Sequence, residues 1–599
     1  MTHLARSTNR TLALLAATSA LLLSACGPGP LQIKRDSLSG CVGAQDNDTL
    51  GWVSVAPLER AVRAADRIGT RAGWLAPGAS LRGALQENME KSARKASMTD
   101  VKWFDWARPM HVVLQHDADK PDEGIFGLLP IVDSGAFRKA LAKLTVDPEP
   151  PAAFAWKNKD AKFAMQAMFP HPSTLLAART GERLGAAAAF ARCAQVREPE
   201  SLLQVGVNMR AVATHHGAKL QALLADLEKP RGPGFFGLKS SMGAVTEAYR
   251  DMLKRVLEGT DSLELGVRDR DDDIVFDLAV RTREGSELQA SMKRVAAEGP
   301  SPLLARLPAS SWMTSASARD RKDASRELEI AMGVYAGLLN LDDAERALMR
   351  DSLTRILSLA GSHAAFAMHD DDGLPLAMTF LLGAEKPAAL LAAMRDDTLT
   401  ILRALAQRPG SRDKLPPELL AALDGGWSAL LGVLAKKLEG KPVQLRWSSP
   451  SKDGLQCELL TVEIDQTQLA QGVAPMARVG VGMVGERLEV ALCAGKDTVS
   501  ITFGRDAVGL ARAAAPGRKD GLLSTAWAKR HLRPDDAMSF GLWPAPLFDL
   551  ARRFVPFVPT WPEADAVAIR CGATLERCTM SLPAVAIATT VRVLKNRGR

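Results

Sequence analysis

An acidic cluster lies in the middle of the stretch LELGVRDRDDDIVFDLAVRTR, residues 263–283. Its carboxylates are Asp269, Asp271, Asp272 and Asp273. Alternating carboxylates are typical of a Ca²⁺-binding loop, but such a loop needs a glycine where Ile274 stands and a bidentate glutamate where Val280 stands. The cluster is therefore predicted to be a hydrated hairpin tip without a metal ion.

Four histidines are candidate metal ligands. His116 in HDADKPDEG and His369 in HDDDG each precede an acidic turn, where carboxylates can raise a histidine pKa or share a divalent ion. The alternative is a solvated turn after a polar strand end, and the sequence favours it. His215 and His216 are adjacent, so their side chains point to different faces of a strand or helix. We predict no metal site and no cofactor.

Motifs of common hydrolases and nucleotide-binding enzymes are absent from the sequence. There is no Gly-x-Ser-x-Gly elbow and no His-Glu-x-x-His helix. Residues 494–497 (AGKD) lack the leading glycine and the final hydroxyl residue of a phosphate-binding loop. No residue is predicted to be catalytic, and a hydrolase with a dispersed site stays an alternative.

Aromatic residues cluster in VKWFDWARP, where Trp103, Phe104 and Trp106 lie together. The chain has 11 tryptophans and only 2 tyrosines. Such a cluster can stack on sugars, or it can pack a corner of the core. Core packing is the commoner fate of large aromatic side chains, and we predict it here.

Cysteine usage indicates an oxidising compartment. Besides Cys26 there are six cysteines and no Cys-x-x-Cys motif, so neither a redox site nor a cysteine zinc site is predicted. Cys571 and Cys578 close the short loop CGATLERC, and Cys457 and Cys493 lie in two predicted strands that can pair across a sheet. Cys41 and Cys193 remain as the third pair by elimination.

Two segments of the chain resemble each other, residues 249–295 and residues 348–394. Both are predicted to contain a helix, a strand, an acidic turn, a strand and a helix, in that order. A less similar copy follows residue 532. Further hairpins are predicted at 111–132, 443–464 and 479–492. Strands with one apolar and one polar face favour antiparallel sheet, and amphipathic neighbours favour covering helices.

The predicted fold is α+β, with tandem repeated units of antiparallel sheet covered on one face by helices. A chain of 599 residues is too long for a single core. We divide it into a leader at 1–25, an N-terminal linker at 26–50, and repeat domains at 51–300 and 301–599.

The N-terminus is typical of a secretory leader. Arg6 and Arg10 precede an apolar run over Thr11–Leu23, which is shorter than the ~20 residues of a membrane-spanning helix. The run ends in Leu-Ser-Ala-Cys at residues 23–26. This ending resembles the lipobox of bacterial lipoproteins.

The lipoprotein resemblance implies that the chain is cut before Cys26 and that Cys26 carries the lipid. Inner-membrane retention signals usually have Asp after that cysteine, whereas Gly27 stands here, which favours the outer membrane with the chain facing the periplasm. Residues 124–144 (GIFGLLPIVDSGAFRKALAKL) also resemble loosely a pattern of large, uncharacterised secreted bacterial proteins, and bring no activity with them. Asp133 or Ser134 is predicted to cap the helix in that segment.

Charge adds little to this assignment. Loss of Arg6 and Arg10 with the leader leaves 74 of the 76 basic residues against 68 acidic ones, a mild excess that does not indicate a nucleic-acid partner. We therefore expect a non-enzymatic envelope lipoprotein that binds or scaffolds an envelope protein partner and contacts the membrane through its lipid. The alternatives are a periplasmic carrier of a hydrophobic ligand and the dispersed hydrolase.

Overall fold

The computed structural model describes residues 34–35, 38–41, 48–71, 73–95, 98–116, 124–141, 145–147, 153–157, 165–178, 181–227, 254–270, 273–323, 328, 332, 341–371, 374–408, 415–452, 454–471, 485–517, 520–552, 560–563 and 565–586. The leader and Cys26 lie outside the described residues, as do Asp271 and Asp272 of the acidic cluster. The lipid attachment therefore stays a prediction.

Contacts between residues divide the chain into two compact units. Unit 1 comprises Met1–Gln221, Leu257–Arg283 and Ser581–Arg599, and unit 2 comprises Ala222–Val256 and Glu284–Met580. Both units combine helices with antiparallel sheet, as an α+β class requires. The division at residue 300 stays a prediction, because a compact unit need not be an independently folding domain.

The strands of unit 1 are β1 (Lys34–Arg35), β2 (Thr49–Val55), β3 (Met110–Gln115), β4 (Ile125–Pro130), β5 (Thr145–Asp147), β6 (Ala153–Lys157), β7 (Met165–His171), β8 (Thr174–Ala178), β9 (Arg197–Glu198), β10 (Leu203–Asn208), β11 (Thr260–Arg270) and β12 (Asp273–Thr282). β1 pairs with β9 in parallel. The other strands pair antiparallel in the order β12–β11–β10–β2–β3–β4–β8–β7–β6–β5. The predicted hairpin at 111–132 is thus β3–β4.

Helices that begin in unit 1 are α1 (Leu58–Arg71), α2 (Leu81–Lys95), α3 (Ser134–Ala140), α4 (Gly181–Ala194) and α5 (Met209–Leu227). Asp133 caps α3, because its carboxylate accepts the backbone N–H of Ala136 at 2.7 Å. The cap predicted from the sequence is confirmed.

Two apolar clusters form the core of unit 1. In one, sheet residues such as Trp52, Phe126 and Leu176 pack with Leu184 and Phe190 of α4. In the other, Trp103 lies 1% exposed, with edge-to-face contacts to Phe104 and Phe137. Core packing of the tryptophan cluster is confirmed, since these rings have no free face for a sugar.

The strands of unit 2 are β13 (Ser311–Ala318), β14 (Ala360–Asp371), β15 (Leu374–Ala384), β16 (Val443–Ser448), β17 (Ser451–Lys452), β18 (Leu455–Ile464), β19 (Arg487–Ala494), β20 (Thr498–Gly504), β21 (Met538–Leu542) and β22 (Val567–Cys571), and β23 (Arg577–Pro583) follows. They pair antiparallel in the order β22–β21–β13–β14–β15–β20–β19–β18–β16, and β17 also pairs with β18. The predicted hairpin at 443–464 is β16–β18. The first strand predicted at 479–492 lies largely outside the described residues, and its second strand, β19, pairs with β18 and β20.

The helices of unit 2 are α6 (Glu287–Glu298), α7 (Asp343–Leu359), α8 (Pro387–Ala406), α9 (Pro417–Asp424), α10 (Trp427–Leu438), α11 (Gln466–Gln471), α12 (Ala507–Ala513), α13 (Ala526–His531) and α14 (Ala545–Arg552). α7 begins with a capping box, in which Asp342 and Glu345 bind each other's backbone N–H. α8 begins with Pro387, a favoured first helical residue.

Both acidic segments form tight hairpins. In β11–β12, Arg270 lies opposite Asp273 at the end of the hairpin. In β14–β15, Asp371 lies opposite Leu374, so the last paired residues of both hairpins are three positions apart. The prediction that the acids mark hairpin tips is confirmed, and the flanking helices include residues 254–259, α6, α7 and α8.

The two faces of the unit 2 sheet differ in side-chain size. One face carries small buried residues that pack on helical segments such as α13: Ala316, Ala365, Ala367, Ala377, Thr379, Ala491 and Thr502. The opposite face carries large apolar residues that are mostly half-exposed. An ordinary two-layer sheet places its large apolar residues under the helices and its polar residues in water, so this arrangement is unusual.

The apolar face of the unit 1 hairpin is likewise not closed. Leu265 of β11 is 43% exposed and its partner Leu278 of β12 is 40% exposed. Leu203 of the adjoining β10 is 37% exposed. Helices that cover this face therefore remain a prediction, because strand periodicity defines which residues share a face but not what packs against it.

Candidate functional site

The acids of the predicted turns make structural contacts. Asp269 pairs with Arg67 of α1. Asp371 accepts the backbone N–H groups of Arg505 and Asp506 at 2.5 and 3.2 Å. Over the described part of the chain, no group of three His, Cys, Asp or Glu residues is arranged to hold a metal ion.

Three of the nine histidines come together in unit 1. His116, at the end of β3, stacks on His215 of α5 with ring centroids 3.7 Å apart, and the ring of His216 meets His116 edge-on at 5.5 Å. Nε2 of His215 lies 3.6 Å from the Asp48 carboxylate. Sequence analysis missed this grouping, because adjacent histidines on one helix gave no sign of a third from a distant strand.

His111 of β3 is a buried histidine that sequence analysis did not single out. Its side chain is 2% exposed, and its Nδ1 lies 3.0 Å from Oγ of Ser54 on β2. Burial lowers the pKa of His111 to about 4, because desolvation disfavours the imidazolium. Burial also lowers the pKa of His369, whose Nε2 lies 3.0 Å from the Thr379 hydroxyl.

Acidification is expected to destabilise unit 1 through His111. The folded-state pKa is about 4, below the unfolded value of ~6.5. The unfolded state therefore binds the extra proton first, and stability falls as the pH drops from ~6.5 to ~4, by about 3 kcal/mol in all. Urea unfolding across that pH range measures the loss. His111→Gln should remove most of this pH dependence, and an unchanged slope would contradict a neutral buried imidazole.

An apolar groove in unit 2 lies among α8, α9 and α10. Prolines 416 and 417 start α9, and the turn into α10 uses Gly426 at φ 89°, a conformation that favours glycine. Leucines at three- and four-residue spacing then align along each helix. The lining side chains are Leu402, Leu405, Ala406, Leu415, Leu419, Leu423, Trp427, Leu430, Leu431 and Leu434. We call this site the helix groove.

The helix groove has a volume of about 650 Å³. That volume lies within the range of about 300–1,000 Å³ found for small-molecule sites. It is several times larger than a dry engineered cavity of ~150 Å³ that binds benzene. Its lining residues are buried or half-buried, so a bound apolar group would contact apolar side chains along the groove.

Two hydrogen bonds connect the helices that form the helix groove. Nε1 of Trp427 donates to the Arg395 carbonyl at 2.8 Å, and Nε of Arg403 donates to the Leu423 carbonyl at 2.7 Å. The lining itself offers no acid, base or nucleophile. The described lining of the groove can bind an apolar group.

A row of large apolar side chains crosses the unit 2 sheet to the helix groove. Each residue lies directly opposite the next on the neighbouring strand, and each is half-exposed or exposed. The row is Val567, Leu542, Met313, Met368, Met378, Phe503, Val490, Leu460 and Trp447. We call it the apolar row. Trp447 stacks nearly parallel to Trp427 of the groove, at 6.3 Å between ring centroids.

Disulfide bonds join Cys41 to Cys193, Cys457 to Cys493 and Cys571 to Cys578. These are the pairs expected from the sequence. Cys457 and Cys493 lie directly opposite each other on β18 and β19.

Comparisons with known proteins give no family. No family model matches the chain, and no curated protein matches it. Two crystal forms of TP0453, forms IV and III, align with 44% of this chain and 85% and 87% of theirs, at 9% identity and TM-scores of 0.20 and 0.21. Such TM-scores do not establish a shared fold. Within the described residues, no helix is long and apolar enough to cross a membrane.

Sequence analysis did not single out the helix groove. The segment PPELLAALDGGWSALLGVLAKKL, residues 416–438, carries two short amphipathic helices separated by Gly-Gly. The segment has more leucines than one buried face of a helix accommodates. This excess was the signal in the sequence that could have indicated the groove. Whether such leucines fill a core or line a groove depends on the distance between helices.

Proposed function

We propose that the protein is a lipid-anchored protein of the bacterial envelope that binds a hydrophobic ligand, such as a lipid acyl chain, in the helix groove. The groove is the observation that carries this proposal, since its volume and wholly apolar lining fit a ligand without a polar group at that end. The apolar row supports it. Methionine and phenylalanine side chains exposed along a sheet offer an adaptable surface to a flexible chain.

The envelope location follows from the leader and agrees with the cysteines. The lipobox-like ending places the lipid on Cys26, and Gly27 favours the outer membrane facing the periplasm. Three disulfide pairs suit an oxidising compartment. A tandem origin of the helix–hairpin–helix segments at 249–295 and 348–394 belongs to the same proposal.

A second candidate function is the binding or scaffolding of an envelope protein. The exposed leucines 203, 265 and 278 favour it, because they adjoin one another on three neighbouring strands. Single exposed leucines are ordinary, whereas adjoining ones mark contact surfaces.

Binding of an acyl chain at the helix groove is expected to quench Trp427. We would titrate the protein with dibromostearate and follow tryptophan emission, with Trp427→Phe identifying the part of the signal that comes from this ring. Ala406→Phe places a phenyl ring in the groove and should weaken binding about tenfold, or ~1.4 kcal/mol. Filling a cavity should leave the free energy of unfolding unchanged or higher.

Ala421→Phe is the matched control, because Ala421 is exposed on α9 and does not line the groove. It should bind dibromostearate as the parent does. Absence of saturable quenching in the parent would overturn the carrier proposal and leave protein binding as the favoured function. Equal loss in both phenylalanine variants would place the ligand elsewhere.

A further inference from the structure

Arginines form a stripe along α1. Arg60, Arg63, Arg67 and Arg71 follow one another at intervals of three or four residues, so they share one side of the helix. Val62 and Gly69 lie on the opposite side of the helix and are buried. Ala64, between Arg60 and Arg67, is buried at the edge of the stripe.

The last three arginines of the stripe are accessible to solvent. The side chains of Arg63 and Arg67 are 66% and 57% exposed, and Arg71 is also exposed. Arg67 pairs with the less exposed Asp269 of β11, whereas Arg63 lies 3.9 Å from Glu59 in an exposed pair. Exposed pairs of this kind contribute little to stability, so the stripe is not required for folding. We call Arg63, Arg67 and Arg71 the arginine face.

An exposed tryptophan follows the arginine face directly. Trp74 is 48% exposed, and its backbone N–H donates to the Gly69 carbonyl at 2.8 Å, which fixes the loop after α1. Tryptophan is enriched where membranes meet water, because its ring is apolar and its N–H is polar. Arginines and an exposed tryptophan therefore lie on one segment.

The arginine face belongs to the helix that meets the entry point of the N-terminal chain. Lys34 and Arg35 of β1 pair with Arg197 and Glu198 of β9. Glu198 in turn accepts a hydrogen bond from Arg60 at 3.0 Å. The start of α1 thus lies one strand away from the place where the chain from Cys26 enters unit 1.

The distance from the lipid limits where unit 1 can lie. Cys26 precedes Lys34 by eight residues, which span at most ~28 Å when fully extended. From Arg60 to Arg71 the helix rises a further ~16 Å. A bilayer that holds the lipid of Cys26 is therefore within reach of the arginine face.

We propose that the arginine face and Trp74 dock on the anionic phospholipid surface of the membrane that holds Cys26. The guanidinium group of arginine can donate two hydrogen bonds to one phosphate. Basic side chains near an anionic bilayer add to the membrane affinity that a lipid anchor provides. This docking orients unit 1 on the membrane. It rests on the lipid anchoring through Cys26 in the proposed function, but it does not depend on ligand binding in the helix groove.

The test uses the full mature chain with Cys26→Ser, secreted behind an ordinary cleavable leader so that no lipid is attached. Co-sedimentation with vesicles of phosphatidylcholine mixed with phosphatidylglycerol should exceed that with phosphatidylcholine alone, and high salt should abolish the difference. Arg63→Gln/Arg67→Gln/Arg71→Gln should weaken binding to the anionic vesicles about a hundredfold. Trp74 emission should shift to shorter wavelength on binding, and Trp74→Phe identifies that shift.

Matched control variants separate the effect of the arginine face on vesicle binding from the effect of net charge. Lys436→Gln/Lys437→Gln/Lys441→Gln removes the same charge from exposed positions of unit 2 and should bind as the parent does. Arg63→Lys/Arg67→Lys/Arg71→Lys keeps the charge and should retain most binding. Equal binding of the arginine-to-glutamine variant and the parent would overturn the proposal, as would an equal loss in the unit 2 control. Neither outcome affects dibromostearate binding, so the two proposals fail separately.

Discussion

Removal of the Cys41–Cys193 disulfide is expected to lower the free energy of unfolding of unit 1 by about 5 kcal/mol. The bridge joins residues 152 positions apart. On the chain-entropy model a cross-link restricts the unfolded chain more as the closed loop grows. A folded domain is stable by only about 5–15 kcal/mol, so this loss is a large share of the total.

The other two bridges provide a graded comparison. Their sequence separations are 36 for Cys457–Cys493 and 7 for Cys571–Cys578. The same model gives about 4 and about 2 kcal/mol. Three double Cys→Ser variants, each compared with the parent by denaturant unfolding, measure the series.

Packing contacts near Cys41 add to the stability that the Cys41–Cys193 bridge provides. Leu38, in the same short helical turn as Cys41, is 1% exposed and packs in the cluster that contains α4. Without the bridge, residues 38–41 depend on packing contacts such as those of Leu38. An equal loss for all three variants, or the largest loss for Cys571–Cys578, would contradict the entropic account.

Substitution of Cys26 is expected to move the protein from the membrane fraction to the soluble fraction. Cys26→Ser removes the sulfur that the lipobox resemblance identifies as the lipid attachment point. A single acyl chain holds a protein only marginally, whereas two or more hold it durably, so loss of the whole modification leaves no comparable anchor.

Fractionation should be followed by a wash at high salt. At ~1 M salt the Debye length is ~3 Å, so attraction between the arginine face and anionic lipid is screened. The parent should then stay in the pellet until detergent is added. An uncut leader could itself retain Cys26→Ser, so mass spectrometry of the N-terminal peptide is needed, and a version behind an ordinary cleavable leader serves as the second arm. Retention of that second version after the salt wash would refute anchoring through Cys26.

Much of the local structure could be predicted from neighbouring residues. Alternation of apolar and polar residues located β11 and β12, and the acidic cluster indicated a hairpin tip between them. Asp133 was predicted as a cap because a short acceptor stood just before an amphipathic run. Each of these features depends on interactions over a few residues, which a single sequence displays directly.

The disulfide pairs depended on a different kind of information. Cys571 and Cys578 are close in the chain, so their pairing needs only a short turn. Cys457 and Cys493 required two strands in the right register, which the periodicity made plausible. Cys41 and Cys193 followed only by elimination.

The candidate sites could not be predicted in this way. His116 and His215 come from a strand end and a helix, and only the packing of unit 1 makes them stack. The pattern of leucines in α8, α9 and α10 is that of ordinary core residues. Only the spacing of the three helices in the structure shows that a groove lies among them.

The sequence by itself determined the α+β class, the hairpins with their acidic tips and the pairing of Cys571 with Cys578, because these depend on residue type, alternation and short-range geometry. The leader remains a prediction from the sequence. Only the tertiary structure decided which sheet faces stay open, where the helix groove forms and that α1 lies beside the entering N-terminal chain. Those outcomes depend on strand register and on helix packing between distant segments, and no local pattern of residues encodes them.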